Sequence, residues 1–79
     1  MRSNIMENRI KNVISAVFNY PIEKIQKDSS PDSIDKWDSL GHMNLVVGLE
    51  EEFDIVIEDD EIAEMLNFAL IKEIVKSKI

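Results

Sequence analysis

Trp37-Asp38-Ser39-Leu40-Gly41-His42-Met43-Asn44-Leu45-Val46-Val47-Gly48-Leu49-Glu50-Glu51-Glu52-Phe53-Asp54 decides the fold. Asp38 and Ser39 have N-cap chemistry, and the residues after them predict a helix to about Phe53. Leu45, Leu49 and Phe53 recur at intervals of four with Val46 beside them, which is a core-facing stripe. Leu40, Met43 and Val47 recur at three and four on a second side. A surface helix needs one apolar stripe; a second one, starting beside Ser39 and rimmed by acids, has the make-up of a docking surface. Glu50, Glu51 and Glu52 fill the last turn, where negative charge opposes the helix dipole. A sequence tuned for stability alone would place Lys there, so these glutamates hint at recognition. Gly48 costs about 1 kcal/mol relative to Ala inside a helix, and permits close approach of another helix or access to a cavity.

Working toward the N-terminus, residues 20–37 form a long connection with Pro21, Pro31 and a run of Ser and Asp. A loop of this length in so small a chain is often functional. Ile22, Ile25, Ile34 and Trp37 are apolar anchors for it, and residues 22–26 suit one helical turn. Ahead of the loop, Met6, Ile10, Val13, Ile14 and Val17 make one helical stripe. This predicts a first helix over about 4–19, capped by Ser3 or Asn4 and stopped by Pro21, which pushes Tyr20 out of the α region. Toward the C-terminus, residues 54–58 read as an extended connector burying Ile55 or Ile57. Asp59 or Asp60 caps a short third helix to about Leu66. Asn67 caps a fourth, with Phe68, Ile71, Ile74 and Val75 as its stripe and Lys72, Lys76 and Lys78 toward its favourable end. The expected fold is all-α: one domain over 1–79, a small four-helix bundle with a long loop between helix 1 and helix 2.

Composition narrows the function. A chain of 79 residues buries only roughly 60% of its unfolded surface, and it has no Cys to staple it or to ligate metal. A zinc site would need more ligands than one His and some carboxylates readily supply. The net charge of −7 is divided unevenly: residues 1–36 carry six basic and five acidic side chains, residues 37–79 three and eleven. That balance argues against nucleic acid and against an anionic membrane surface, and favours partners with basic patches. No apolar run approaches the roughly 20 residues of a membrane span. Residues Met1–Met6 show no signal-peptide core, so the expectation is a cytoplasmic protein and a monomer.

Ser39 is the residue with chemical potential. At the first position of a helix its hydroxyl is exposed beside unpaired backbone N–H groups, where a phosphate is at home. The bland alternative is a plain cap. His42 lies one turn on, but a working Ser-His pair needs an orienting acid and an oxyanion hole, and the sequence offers neither. A divalent-ion or partner contact suits His42 better. Trp37 suits a loop anchor, placed where it can also touch whatever Ser39 carries.

The chain resembles the acyl carrier proteins over nearly its whole length. The match centres on Asp38-Ser39-Leu40 and continues through Leu45, Leu49, Glu50-Glu51-Glu52-Phe53-Asp54, Ile57 and Asp59-Asp60-Glu61. The resemblance implies that a phosphopantetheinyl transferase moves 4′-phosphopantetheine from coenzyme A onto Ser39, flanked by Asp38 and Leu40. The arm's thiol then holds acyl intermediates as thioesters, which explains how a chain with no Cys handles them. It implies no catalysis by the chain itself. Acyl-loading, condensing and modifying enzymes of fatty-acid, polyketide or specialised biosynthesis would dock basic patches on Leu40, Met43, Val47, Glu50, Glu51 and Asp59. Gly41, His42 and Asn44 stand where many fatty-acid carriers have acids. Trp37 before Asp-Ser-Leu, with His42 soon after, looks more like stand-alone carriers of specialised pathways. The alternatives are a peptidyl or aminoacyl carrier of a nonribosomal-peptide-type pathway, or a helical adaptor without a prosthetic group.

Overall fold

The computed structural model describes the backbone from Arg2 to Ile79 and side chains from Ile5 onward. Four helices follow one another: α1 (Arg2–Phe18), α2 (Ser39–Phe53), α3 (Asp59–Glu64) and α4 (Phe68–Lys76). A single 3-10 turn, Ile22–Lys24, interrupts the long α1–α2 loop. No strand occurs among the described residues, so the all-α expectation holds.

The stripes deduced from the sequence meet in one core. Met6, Ile10, Val13, Ile14 and Phe18 of α1, Leu45, Val46, Leu49 and Phe53 of α2, and Phe68, Ile71 and Val75 of α4 are all buried. The loop reaches this core through Ile25, Ile34 and Trp37, with Ile22 packed at its margin, as its anchors require. Its backbone is also used: the carbonyls of Lys27 and Ser29 accept the N–H groups of Ala69 and Phe68, at 3.1 and 2.9 Å. The loop therefore closes the α4 N-terminus, beside the Asn67 side chain that accepts from Leu70 N–H. In this way the long connection over 19–38 holds a fixed path, because its polar backbone finds partners on a helix end.

The helix limits differ from expectation for local reasons. α1 begins at Arg2, ahead of Ser3 and Asn4, whose capping falls outside the described side chains. It ends before Pro21 acts. Asn19 adopts a left-handed conformation (φ 51°), and Tyr20 N–H bonds the Ser15 carbonyl at 3.1 Å, closing the last turn. α2 ends the same way at Asp54 (φ 54°), with Ile55 N–H on the Glu50 carbonyl. α3 is capped by Glu58 rather than Asp59 or Asp60, since the Glu61 carboxylate takes the Glu58 N–H at 2.9 Å in a capping box. It stops at Glu64, short of Leu66, and the buried Met65 carries the chain into α4. The connector between α2 and α3 buries Ile57, leaves Ile55 half-buried and exposes Val56.

Two of the three glutamates closing α2, Glu50 and Glu52, are tied down. Arg9 Nε meets Glu52 Oε2 at 2.7 Å, its Nη2 donates to the Glu52 carbonyl, and its guanidinium lies over Phe53. A cation from α1 thus offsets the charge at this helix end. Glu50 Oε2 accepts the Ile57 N–H at 2.9 Å and fixes the connector. Of the three lysines expected at the α4 terminus, Lys72 pairs with Glu7 of α1 and Lys78 with Glu61 of α3, so two of them join helices instead.

Candidate functional site

Ser39 is the first residue of α2 and is exposed. Asp38 precedes it as N-cap, and its carboxylate accepts the Gly41 N–H at 2.8 Å while its carbonyl takes the His42 N–H at 2.7 Å. Among the described residues no acceptor takes the N–H of Ser39 or of Leu40. An exposed hydroxyl beside two free, dipole-enriched donors fits a phosphodiester.

Gly41 is what permits this geometry. A Cβ there would lie 2.1 Å from the Lys36 carbonyl oxygen and 2.9 Å from Phe18 Cε1. The first turn of α2 therefore rests directly on loop backbone and on the end of α1. Any side chain at 41 would push it away, moving Ser39 with it.

Below Ser39, Trp37 is only 2% exposed and stacks on Phe18. Its Nε1–H donates to His42 Nδ1 at 2.8 Å, and His42 Nε2 meets the Ile62 carbonyl at 2.9 Å. Because Nδ1 accepts, Nε2 carries the proton and donates. Both ring nitrogens are thus engaged within the chain, which overturns the expectation of a divalent-ion or partner contact at His42. Trp37 is the anchor the sequence suggested, but its polar atom has a partner that the sequence reading missed. The available signal was the spacing of Trp37 and His42 across a helix start.

A cleft of about 650 Å³ opens beside Ser39 between the loop, the start of α2 and α3. Trp37, His42, Met43, Ile62, Met65 and Leu66 contribute to its wall, and Asp38 and Asp59 to its rim. The second stripe of α2 runs outward from the same point: Leu40 is 74%, Met43 47% and Val47 50% exposed. Leu66 is exposed on the far side of the cleft. Glu51 and Asp59 are exposed and make no ion pair in the described structure, whereas Glu50 is half-buried on Ile57. The structure therefore brings together Asp38, Ser39, Leu40, Met43 and Asp59; Val47 and Glu51 lie further along α2, and Glu50 faces the connector.

The chain is 42% identical to an acyl carrier protein of Buchnera aphidicola subsp. Schizaphis graminum over 64 residues, which is 81% of this chain and 80% of that one. The chain belongs to the acyl carrier protein family. A second acyl carrier protein, from Buchnera aphidicola subsp. Acyrthosiphon pisum, is 44% identical over 78% of this chain and 76% of its own. The solution structure of holo acyl carrier protein from Geobacter metallireducens superposes with a TM-score of 0.83 at 29% identity, covering 92% of this chain and 84% of that one. No protein-family model matches the chain. Acyl carrier proteins hold acyl groups on a phosphopantetheine group, and this family member inherits that function. No helix among its described residues is long and apolar enough to cross a membrane.

Proposed function

We propose that Ser39 Oγ is the attachment point of the phosphopantetheine arm, in a single carrier domain spanning 1–79. The observation that carries this reading is the exposed hydroxyl at the first position of α2 beside two unpaired N–H groups, at the mouth of the cleft. In the loading step the Ser39 oxygen forms a bond to the pantetheine-side phosphorus of coenzyme A. The pyrophosphate P–O bond breaks, 3′,5′-ADP leaves, and the hydroxyl proton passes to the transferase. The free Ser39 and Leu40 N–H groups would hold the phosphodiester, while Asp38 keeps the first turn intact. The arm supplies the thiol; the chain's own residues orient and present it.

Leu40, Met43 and Val47 form the apolar centre of the docking surface, with Glu51 and Asp59 as acidic contacts for basic partners. These partners are the phosphopantetheinyl transferase and acyl-loading, condensing and modifying enzymes. Glu50 serves the fold first, through Ile57. The chain performs no catalysis in this reading, which the commitment of both His42 nitrogens supports. It acts as a cytoplasmic monomer.

Incubation with coenzyme A and a promiscuous transferase tests the assignment. Wild type gains the mass of one phosphopantetheine, and Ser39→Ala gains none. An undiminished gain in Ser39→Ala moves the tether elsewhere; no gain on folded wild type removes it.

A further inference from the structure

The cleft beside Ser39 has an inner wall that is bonded shut. α3 buries none of its own residues, Asp59–Glu64. It is held by its own half-buried Ile62, which packs against the core, by Met65 after it, 1% exposed, by the Glu61–Lys78 pair, and by His42. The Ile62 carbonyl that His42 reaches lies in the last turn of α3, where it also accepts the Met65 N–H at 3.3 Å. His42 therefore joins the start of α2 to the end of α3, and through Nδ1 it joins both to Trp37 in the loop. Trp37, His42 and Ile62 all line the cleft. Trp37 and Met65, which also line the cleft, belong to the buried core behind it.

We propose that the Trp37–His42–Ile62 bridge is a depth stop. It holds α3 on α2 so that cargo tethered at Ser39 lies in the outer cleft and does not enter the helix core. The proposal rests on the reading of Ser39 as the tether. Short acyl groups fit the cleft with the bridge intact. A longer linear chain either breaks both hydrogen bonds to bury itself or stays accessible at the surface. His42 is thus a positioning residue that sets which acyl groups the carrier shelters.

The test loads wild type, His42→Ala, His42→Gln and Trp37→Phe from acetyl-, butyryl- and octanoyl-coenzyme A, confirms each load by intact mass, and measures cleavage of the thioester by hydroxylamine. Amide hydrogen exchange over α3 is followed in the unloaded proteins. In wild type the octanoyl and butyryl thioesters are cleaved at similar rates. In His42→Ala the octanoyl thioester becomes protected about fivefold, the factor one hydrogen bond of ordinary net strength represents. The unloaded variant exchanges faster at α3. His42→Gln keeps an acceptor and a donor and restores the wild-type pattern. Should His42→Ala fail to fold, Trp37→Phe, which keeps a ring but deletes Nε1–H, shows the same protection. Octanoyl protection already present in wild type, or one common profile in wild type, His42→Ala and Trp37→Phe, overturns the depth stop while leaving the tether intact. Absence of any mass gain overturns the tether, and the depth stop with it.

Discussion

The two ends of α2 use their acids in opposite ways. At the start, Asp38 consumes one backbone donor, Gly41 N–H, and leaves those of Ser39 and Leu40 free. At the end, Glu50 and Glu52 are consumed by Ile57 and Arg9, and only Glu51 stays free. The start is open above and crowded beneath, where Gly41 presses on the Lys36 carbonyl. The end is the reverse: its acids point at the chain's own connector and first helix. A functional surface is thus marked by what the fold leaves unpaired, and residue type alone does not show it.

The largest effect that sharpens this contrast comes from the two glycines of α2. In Gly41→Ala the new methyl meets backbone oxygen at 2.1 Å, which no rotamer change relieves. The first turn has to shift, and chemical denaturation should show a loss of about 3 kcal/mol or more. In Gly48→Ala the methyl meets side-chain carbons, Val13 Cγ1 at 2.9 Å and Val17 Cγ2 at 3.4 Å. There the gain in helix propensity, about 1 kcal/mol, offsets most of the crowding, so net destabilisation stays under about 1 kcal/mol. Equal losses at the two positions would mean that the start of α2 is not seated on the loop.

The glutamates give the next effect. Glu50→Ala strips the part-buried Ile57 N–H of its acceptor and should cost about 1–2 kcal/mol, read as a lower denaturation midpoint. Glu51→Ala leaves the midpoint unchanged but raises the KM for the transferase about two- to fivefold, the range of one exposed charge contact. Met43→Glu, in the exposed stripe, should keep the helical circular-dichroism signal while weakening docking further. If Glu50→Ala and Glu51→Ala behave alike, the inward and outward division of the α2 terminus is wrong.

Much of this was legible in the sequence. The four helices, the anchors Ile25, Ile34 and Trp37, the Asp38 and Asn67 caps, and the two stripes of α2 all follow from periodicity and cap chemistry, which are local. What escaped were features set by partners distant in the chain. Asp54 and Asn19 end helices in the left-handed region, a conformation that Asn and Asp tolerate without announcing it. Glu50 and Glu52 looked like recognition residues because Ile57 and Arg9 meet them only after folding. Gly41 looked like a missing acid, whereas the close approach of Lys36 requires the absence of a side chain. His42 looked free because nothing in its own helix reveals the Ile62 carbonyl.

The smallest effect concerns acids that tie helices together and so do neither of the jobs seen in α2. Glu7 accepts from Lys72, and Glu61 from Lys78 and the Glu58 N–H. In each case hydrogen bonding from the lysine is the main cause holding the carboxyl below its ordinary pKa, with the Glu58 N–H adding to it for Glu61. A folded-state pKa below the unfolded one means that the unfolded chain binds protons first on acidification. The stabilisation is therefore complete above the ordinary carboxylate range, and it is lost as pH falls through that range toward the lowered folded values. The denaturation midpoint of wild type should decline there more steeply than that of Glu7→Gln/Glu61→Gln, which starts lower at neutral pH and converges on wild type in acid. High salt should shrink the difference, since both pairs sit near the surface. Parallel pH curves for the two proteins would show that the pairs add nothing to the fold. The acids that matter for stability would then be those at the end of α2 alone.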